Sequence, residues 1–235
     1  MNPDPKPFRF KQFEIHQHQC AMKVGTDGVL LGAWTDTSNC NSILDIGCGT
    51  ALLSLMLAQK SKAQIDAVEI DALAAEQAEF NCQLSKWSEQ ITVHPTSIQE
   101  FQKKTSKQFD LIISNPPFFS KQPNKSARST ARSQINLRLE EIIEISNQLL
   151  SKKGKLSVII PFEELDSFIE KCASVQLHLL SQCSIKGNLL SKPKRVILSF
   201  SKQLTSAKET ELIIEKEKRH DYTKEYLSLV EPYLL

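Results

Sequence analysis

The stretch SILDIGCGTALLSLMLAQK, Ser42 to Lys60, holds a strand, a glycine turn and a helix in direct succession. SILDI is short and mostly apolar, as a strand covered on both faces requires, and ALLSLMLAQK (Ala51–Lys60) is apolar nearly all round, as a buried helix would be. Outward from this unit the same alternation continues. QIDAVEI (Gln64–Ile70) predicts a second strand and LAAEQAEFNCQL (Leu73–Leu84) a helix. ITVH (Ile91–His94) and DLIIS (Asp110–Ser114) follow as strands. Asn136 to Leu150 has a helical rhythm, which Gly154 is expected to end, and KLSVII (Lys155–Ile160) is a fifth strand stopped by Pro161. Strands separated by helices predict an α/β fold with a mostly parallel sheet covered on both faces. LHLLSQCSI (Leu177–Ile185) and RVILSF (Arg195–Phe200) have no helix between them and predict an antiparallel pair at the sheet edge, giving seven strands. The tail adds one more short strand and a helix.

The chain has 235 residues, 40% hydrophobic and 24% charged, which fits one generous domain. We read residues 1–40 as a covering segment, 41–200 as the core and 201–235 as a closing strand and helix. No apolar run is long enough to span a bilayer, and MNPDPKPFRF lacks the apolar centre of a secretory signal, so a cytoplasmic protein is expected. Six cysteines without a C-x-x-C pair argue against a zinc or iron–sulfur site and for reduced thiols. No metal site, membrane segment or obligatory protein partner is expected.

Five of the seven glycines lie between Gly25 and Gly49. Gly47 and Gly49 follow the first strand, where a glycine turn lets a ligand press on the backbone at a helix N-terminus. A dinucleotide fingerprint needs a third glycine at position 52, which is Leu52, so NAD and FAD are disfavoured. Asp45 gives the pattern D-x-G-x-G, a carboxylate suited to a ligand carrying an ammonium group. Glu69, in VEID (Val68–Asp71), lies about 20 residues on, where an acid can hold a ribose hydroxyl pair. Asp71 reads as the cap of the next helix. A plain strand–helix turn with a surface glutamate is the alternative.

With these motifs the chain resembles the S-adenosylmethionine-dependent methyltransferases of Rossmann-like fold. The resemblance implies that Asp45, Gly47 and Gly49 line the methionine part of that cofactor and that Glu69 holds its ribose. Ser97, in HPTSIQEF, falls where the family often has an aspartate that reads the adenine amine; a hydroxyl can still accept a hydrogen bond there.

DLIISNPPFF, Asp110 to Phe119, ends a buried strand on an amide, two prolines and two aromatic rings. Pro116 and Pro117 fix the backbone, Asn115 faces the strand end, and Phe118 can present a flat ring. An exocyclic amine on a nucleobase is a poor nucleophile because its lone pair is delocalised. The Asn115 side-chain oxygen and the Pro116 carbonyl can accept its two N–H bonds and draw it toward a tetrahedral shape, without a strong general base. N-P-P-F resembles the signature of amino-group methyltransferases acting on adenine N6, guanine N2, cytosine N4 or glutamine amides. A purely structural proline turn is the alternative.

Two basic stretches point to a polyanion. Lys121 to Leu139 has five basic residues and no acid, and Lys171 to Lys208 has seven and no acid. Lys121, Lys125, Arg128 and Arg132 in the first, and Lys194 and Arg195 in the second, are the candidate nucleic-acid contacts. FRFKQFEIHQHQCAMKVGTDGVLLGAW, Phe8 to Trp34, reads as a strand or two and a glycine-bracketed turn whose Thr26 and Asp27 are candidate cofactor contacts; a simple lid over the sheet is the other reading. Together with LDIGCGT, VEID, NPPFF and the YTKEYLSLVEPYLL ending, it is similar to the bacterial tRNA1(Val) (adenine-N6)-methyltransferases. That resemblance implies tRNA as partner and methylation of the adenine beside the anticodon. A ribosomal-RNA guanine-N2 methyltransferase, a protein glutamine methyltransferase and a non-catalytic RNA-binding module are the competing readings.

Overall fold

The computed structural model describes residues 6–116 and 138–234. Its centre is an eight-stranded sheet built from β3 (Ser42–Ile46), β4 (Gln64–Glu69), β5 (Ile91–Pro95), β6 (Phe109–Ser114), β7 (Leu150–Pro161), β8 (His178–Lys186), β9 (Arg195–Ser201) and β10 (Lys208–Ile213). The order across the sheet is β10-β8-β9-β7-β6-β3-β4-β5. β5, β4, β3, β6 and β7 are mutually parallel; β9 runs antiparallel to both β7 and β8, and β10 pairs parallel with β8. The expected antiparallel pair is therefore present, and the strand expected in the tail joins the same sheet outside it as the eighth.

Each face carries its own apolar layer. On one side α1 (Thr26–Trp34), α2 (Leu52–Lys60) and α3 (Ala72–Leu84) pack with α7 (Lys224–Val230) and with Phe10, Phe13 and Ile15 of the N-terminal segment. On the other lie α4 (Ile98–Lys104), α5 (Leu139–Leu149) and α6 (Leu165–Ser174), contributing Phe101, Ile142, Ile143 and Phe168. α2 is buried from Leu52 to Ala58, which explains its lack of a polar face. The N-terminal hairpin, β1 (Phe8–Arg9) with β2 (Glu14–Ile15), is tied to the end of the chain: Lys11 donates through its backbone N–H to the Tyr233 carbonyl at 2.8 Å and through Nζ to the Glu231 carbonyl at 2.6 Å.

Three local readings change. KVGTDG is not a free turn: Gly25 caps α1, and Thr26, Asp27 and Gly28 form its first turn. The segments 98–104 and 165–174, unassigned from sequence, are helices. Gly154 does not end a helix. α5 stops at Leu149 because the fully buried Leu150 turns extended and pairs with Phe109, leaving Gly154 inside β7 beside a bulge. A Cβ at Gly154 would meet the Phe109 carbonyl oxygen at 2.6 Å and the Ser151 nitrogen at 3.0 Å. These are backbone atoms and cannot step aside. Gly154→Ala is expected to cost about 1–3 kcal/mol, read as a lower urea midpoint; an unchanged midpoint would mean that β6 and β7 separate freely here.

Candidate active site

The glycine turn and the asparagine corner meet because β3 and β6 are neighbours. Asp45 pairs in register with Ile113, and Ser114 Oγ donates to the Ile46 carbonyl at 2.9 Å, joining the two strand ends. The chain builds β3, β4 and β5 outward in one direction and then returns to place β6 on the other side of β3. This is the switch point at which open α/β sheets receive ligands.

The turn after β3 is held in a shape that glycine permits. Gly47 and Gly49 have φ of 71° and 55°, and the Gly47 and Cys48 amides donate to the Val68 carbonyl at 2.9 and 3.1 Å. A Cβ built at either glycine would meet nothing within 4 Å, so the open face of the turn is free for a ligand. At the end of β4, Glu69 accepts from the Gly49 amide through Oε2 and from the Asp71 amide through Oε1, both at 2.9 Å. A carboxylate has about four acceptor positions, so two backbone donors fix this one in orientation and leave capacity for a pair of hydroxyls. Ile70, next in sequence and about half exposed, adds an apolar surface beside it. Asp71 caps α3 as expected, accepting from the Leu73 and Ala74 amides.

Asp45 is completely buried. Its Oδ2 accepts from the Ser54 amide at 3.1 Å and from Ser54 Oγ at 2.7 Å, which pins the first turn of α2 to β3. Its Oδ1 has no hydrogen-bond partner among the described residues. Burial raises its pKa from 3.8 to about 7, against the Ser54 hydrogen bonds, and the charge of Glu69 adds to the rise. An orphaned carboxylate oxygen under a glycine turn fits a ligand that brings positive charge to that turn. The residues thus suit S-adenosylmethionine: a buried carboxyl whose ionisation an ammonium group would favour, an open backbone cradle and an oriented acid for a ribose.

Asn115 and Pro116 follow β6, half-buried and buried respectively. α1 enters directly against them. A methyl added at Gly28 would lie 3.7 Å from Asn115 Nδ2 and 3.0 Å from Leu52 Cδ2, so a bare backbone is what lets α1 approach. One residue earlier, Asp27 forms an ion pair with Arg195 at 2.8 Å. Arg195 thereby bridges the start of β9 to the start of α1, and Lys194 beside it remains exposed. Thr26 is exposed at the helix entry, and Ser97 accepts from the Glu100 amide at 3.2 Å as the cap of α4. Pro117, Phe118, Lys121, Lys125, Arg128 and Arg132 lie outside the described residues.

The N-terminal segment reaches the cofactor end through α3. Asn81 accepts from the His16 amide at 2.9 Å and donates to the carbonyls of His16 and Thr50 at 2.8 and 3.0 Å, stitching that segment to the glycine turn. Burial, with the charges of Glu69 and Asp71, raises the Cys20 thiol to about 11, which places Cys20 near both acids. Sequence reading missed Ser54, Asn81 and Ile70. Their one sequence signal is position: each lies on the face of its helix or at the strand end that meets a motif residue. All six cysteines are unpaired, and the described residues hold no cluster suited to a metal ion.

The methyltransferase small domain matches residues 23–172, and the chain is a member of that class. More narrowly, it belongs to the tRNA1(Val) (adenine(37)-N6)-methyltransferase family. It is 44% identical over 97% of its length to the protein of that name from Flavobacterium psychrophilum, of which 99% is covered, and 43% identical to that from Trichodesmium erythraeum, with 97% of each chain covered. Among solved structures it resembles a predicted O-methyltransferase from Agrobacterium tumefaciens, with a TM-score of 0.68 and 19% identity over 88% of this chain and 96% of the other. At that identity the likeness concerns the fold.

The raised Asp45 pKa has a testable sign. Without cofactor the folded protein holds a proton on Asp45 that the unfolded chain releases, so this residue removes stability as pH rises from about 4 to 7. Asn in its place keeps an acceptor for Ser54 and carries no charge. Asp45→Asn should melt near the wild type at pH 4 and gain on it up to pH 7, by as much as about 4 kcal/mol, while binding S-adenosylmethionine less tightly. A difference independent of pH would contradict a buried titrating acid.

Proposed function

We propose that this chain transfers a methyl group from S-adenosylmethionine to N6 of the adenine beside the anticodon of a valine tRNA, as a cytoplasmic enzyme. The observation that carries the reading is the in-register pairing of β3 with β6, which sets Asn115 and Pro116 beside an open glycine turn flanked by Glu69. The activity named for the full-length relatives supports the choice of base and of RNA.

In this reading Gly47 and Gly49 line the methionine end, Asp45 answers its ammonium charge, Glu69 accepts both ribose hydroxyls, and Ile70 and Ser97 border the adenine. Bound there, S-adenosylmethionine supplies an electrophilic methyl on sulfonium sulfur. The chain's own residues prepare the nucleophile. The Asn115 side-chain oxygen and the Pro116 carbonyl accept the two N–H bonds of the base amine, pyramidalise it and aim its lone pair. As the N–C bond forms the sulfonium S–C bond would break to leave the neutral thioether, and the methylated nitrogen would then lose its extra proton to water. Neither acceptor therefore needs to take a full proton, and dipoles fixed before binding carry the rate. Pro117 stiffens the corner and Phe118 stacks on the base, worth about 1–3 kcal/mol. Loop bases of RNA are partly unstacked, so extruding one adenine costs little. Lys121, Lys125, Arg128, Arg132 and Lys194 meet phosphates. Arg195 is shared between the RNA side and Asp27, and Thr26 with Asp27 closes the cofactor side.

The test uses S-adenosylmethionine labelled on its methyl, incubated with tRNA, ribosomal RNA and protein in parallel. Label in N6-methyladenosine of tRNA is expected; label in N2-methylguanosine of ribosomal RNA or in methylglutamine would replace this substrate with another. Asn115→Ala should lower turnover at least a hundredfold, the order seen on losing one preorganised acceptor or donor (~10²–10³), and leave cofactor binding near wild type. Glu69→Gln should instead weaken cofactor binding by roughly ten- to a hundredfold, as expected for hydrogen bonds to a charged group, measured by calorimetry. Equal turnover in Asn115→Ala would remove that residue from the chemistry.

A further inference from the structure

We propose that the turn joining β8 to β9 carries an apolar wedge, Leu189–Leu190, that inserts against the nucleotides flanking the target base. The inference rests on the RNA substrate proposed above and adds a recognition element to it. Leu190 is 99% exposed and Leu189 59%, adjacent residues on one tip. Single exposed leucines are ordinary, but two together on a rigid projection are a liability unless something covers them.

The projection is rigid. Asn188 Oδ1 accepts from the amides of Leu190 and Ser191 at 3.1 and 2.9 Å, and Ser191 Oγ accepts from the Asn188 amide at 3.0 Å. Its base is clamped on both sides, by the Lys194 amide to the Ile185 carbonyl at 3.0 Å and by the Glu215 amide to the Gly187 carbonyl at 2.9 Å. A tip ordered before binding loses little entropy on contact.

Its location fits a nucleic acid. The turn opens on the same rim as Asn115, because β9 begins at Arg195 opposite Pro161, where β7 ends. It is anchored to the candidate active site by Arg195, paired with Asp27, whose neighbour Gly28 lies against Asn115. β9 is two strands from β6, about 10 Å across the sheet at the usual spacing. The turn projects further from the same rim, since Arg195 lies level with Pro161, three residues beyond Val158, the partner of Ser114. The tip therefore faces the stretch of nucleic acid that leads away from the target base. Lys192 and Lys194 flank it, both exposed, within a stretch from Lys171 to Lys208 that holds no acid. Leucine wedges between bases, held by lysines on phosphates, are an established way to hold nucleic acid unstacked.

The experiment compares Leu189→Ser/Leu190→Ser and Lys192→Ala/Lys194→Ala with wild type. Both leucines are exposed, so the melting temperature and S-adenosylmethionine binding should be unchanged in the first variant. Its kcat/KM on tRNA should fall about ten- to a hundredfold, the range for losing one buried leucine contact. A 2-aminopurine placed at the target position should brighten on binding wild type and stay dim with this variant. The salt dependence of its tRNA binding should keep the wild-type slope, whereas the lysine variant should flatten it. Wild-type kcat/KM and brightening in the leucine variant overturn the wedge while leaving the tRNA reading intact. A wild-type enzyme that methylates no tRNA overturns the substrate reading and the wedge with it.

Discussion

The pairing of β3 with β6 is the constraint on which the remaining geometry depends. The two strands come from parts of the chain 68 residues apart, as the Ser114 to Ile46 hydrogen bond records. Register is what matters in that pairing. A slip of one residue would turn every side chain to the opposite face, sending Asp45 away from Ser54 and Asn115 away from α1. Both flanking strands, β4 and β7, are parallel and buried over the residues that face β3 and β6, so hydrophobic burial on two faces fixes the register strongly.

Around that junction the molecule holds polar groups in states they would not choose alone. Asp45 is deprived of water and of a partner for one oxygen, and Glu69 is turned onto backbone amides. α1 packs against Leu52 so closely that a side chain at Gly28 would crowd it at 3.0 Å, with Asn115 in ordinary contact beside it. The buried Asp45 costs stability in the absence of a ligand, whereas the two backbone hydrogen bonds hold Glu69 ready for a hydroxyl-bearing molecule. The N-terminal segment contributes here as well. Asn81 ties it to the glycine turn, and the hairpin contact with Glu231 and Tyr233 fastens it to residues near the end of the chain.

The sheet and the glycine turn at its carboxyl end were legible in the sequence because short apolar runs and closely spaced glycines are local signals. The limits of β3 and the cap at Asp71 fall where the pattern puts them, and those of β4, β5 and β6 fall within one residue of it. What escaped was packing. Gly25 and Gly28 look like turn residues, yet Gly28 lies one helical turn from Gly32 on the face of α1 that presses on Leu52 and Met56. Gly154 looks like a helix stop, yet it marks a close approach of two strands. α6 went unread although Leu165, Phe168, Ile169 and Cys172 recur at helical spacing and pack on one core face; the segment is short and follows directly on the strand that Pro161 was expected to stop. The ion pair of Asp27 with Arg195 joins residues 168 positions apart and has no local signature.

The claim at the centre of this account is that the asparagine corner and the glycine turn serve one and the same reaction centre. A crystal structure with S-adenosylhomocysteine and adenosine monophosphate bound addresses it directly. The account predicts the ribose hydroxyls on Glu69, the cofactor sulfur facing the corner, and the base amine held between the Asn115 side chain and the Pro116 carbonyl. A base bound elsewhere on the surface, or a cofactor whose sulfur points away from Asn115, would contradict it.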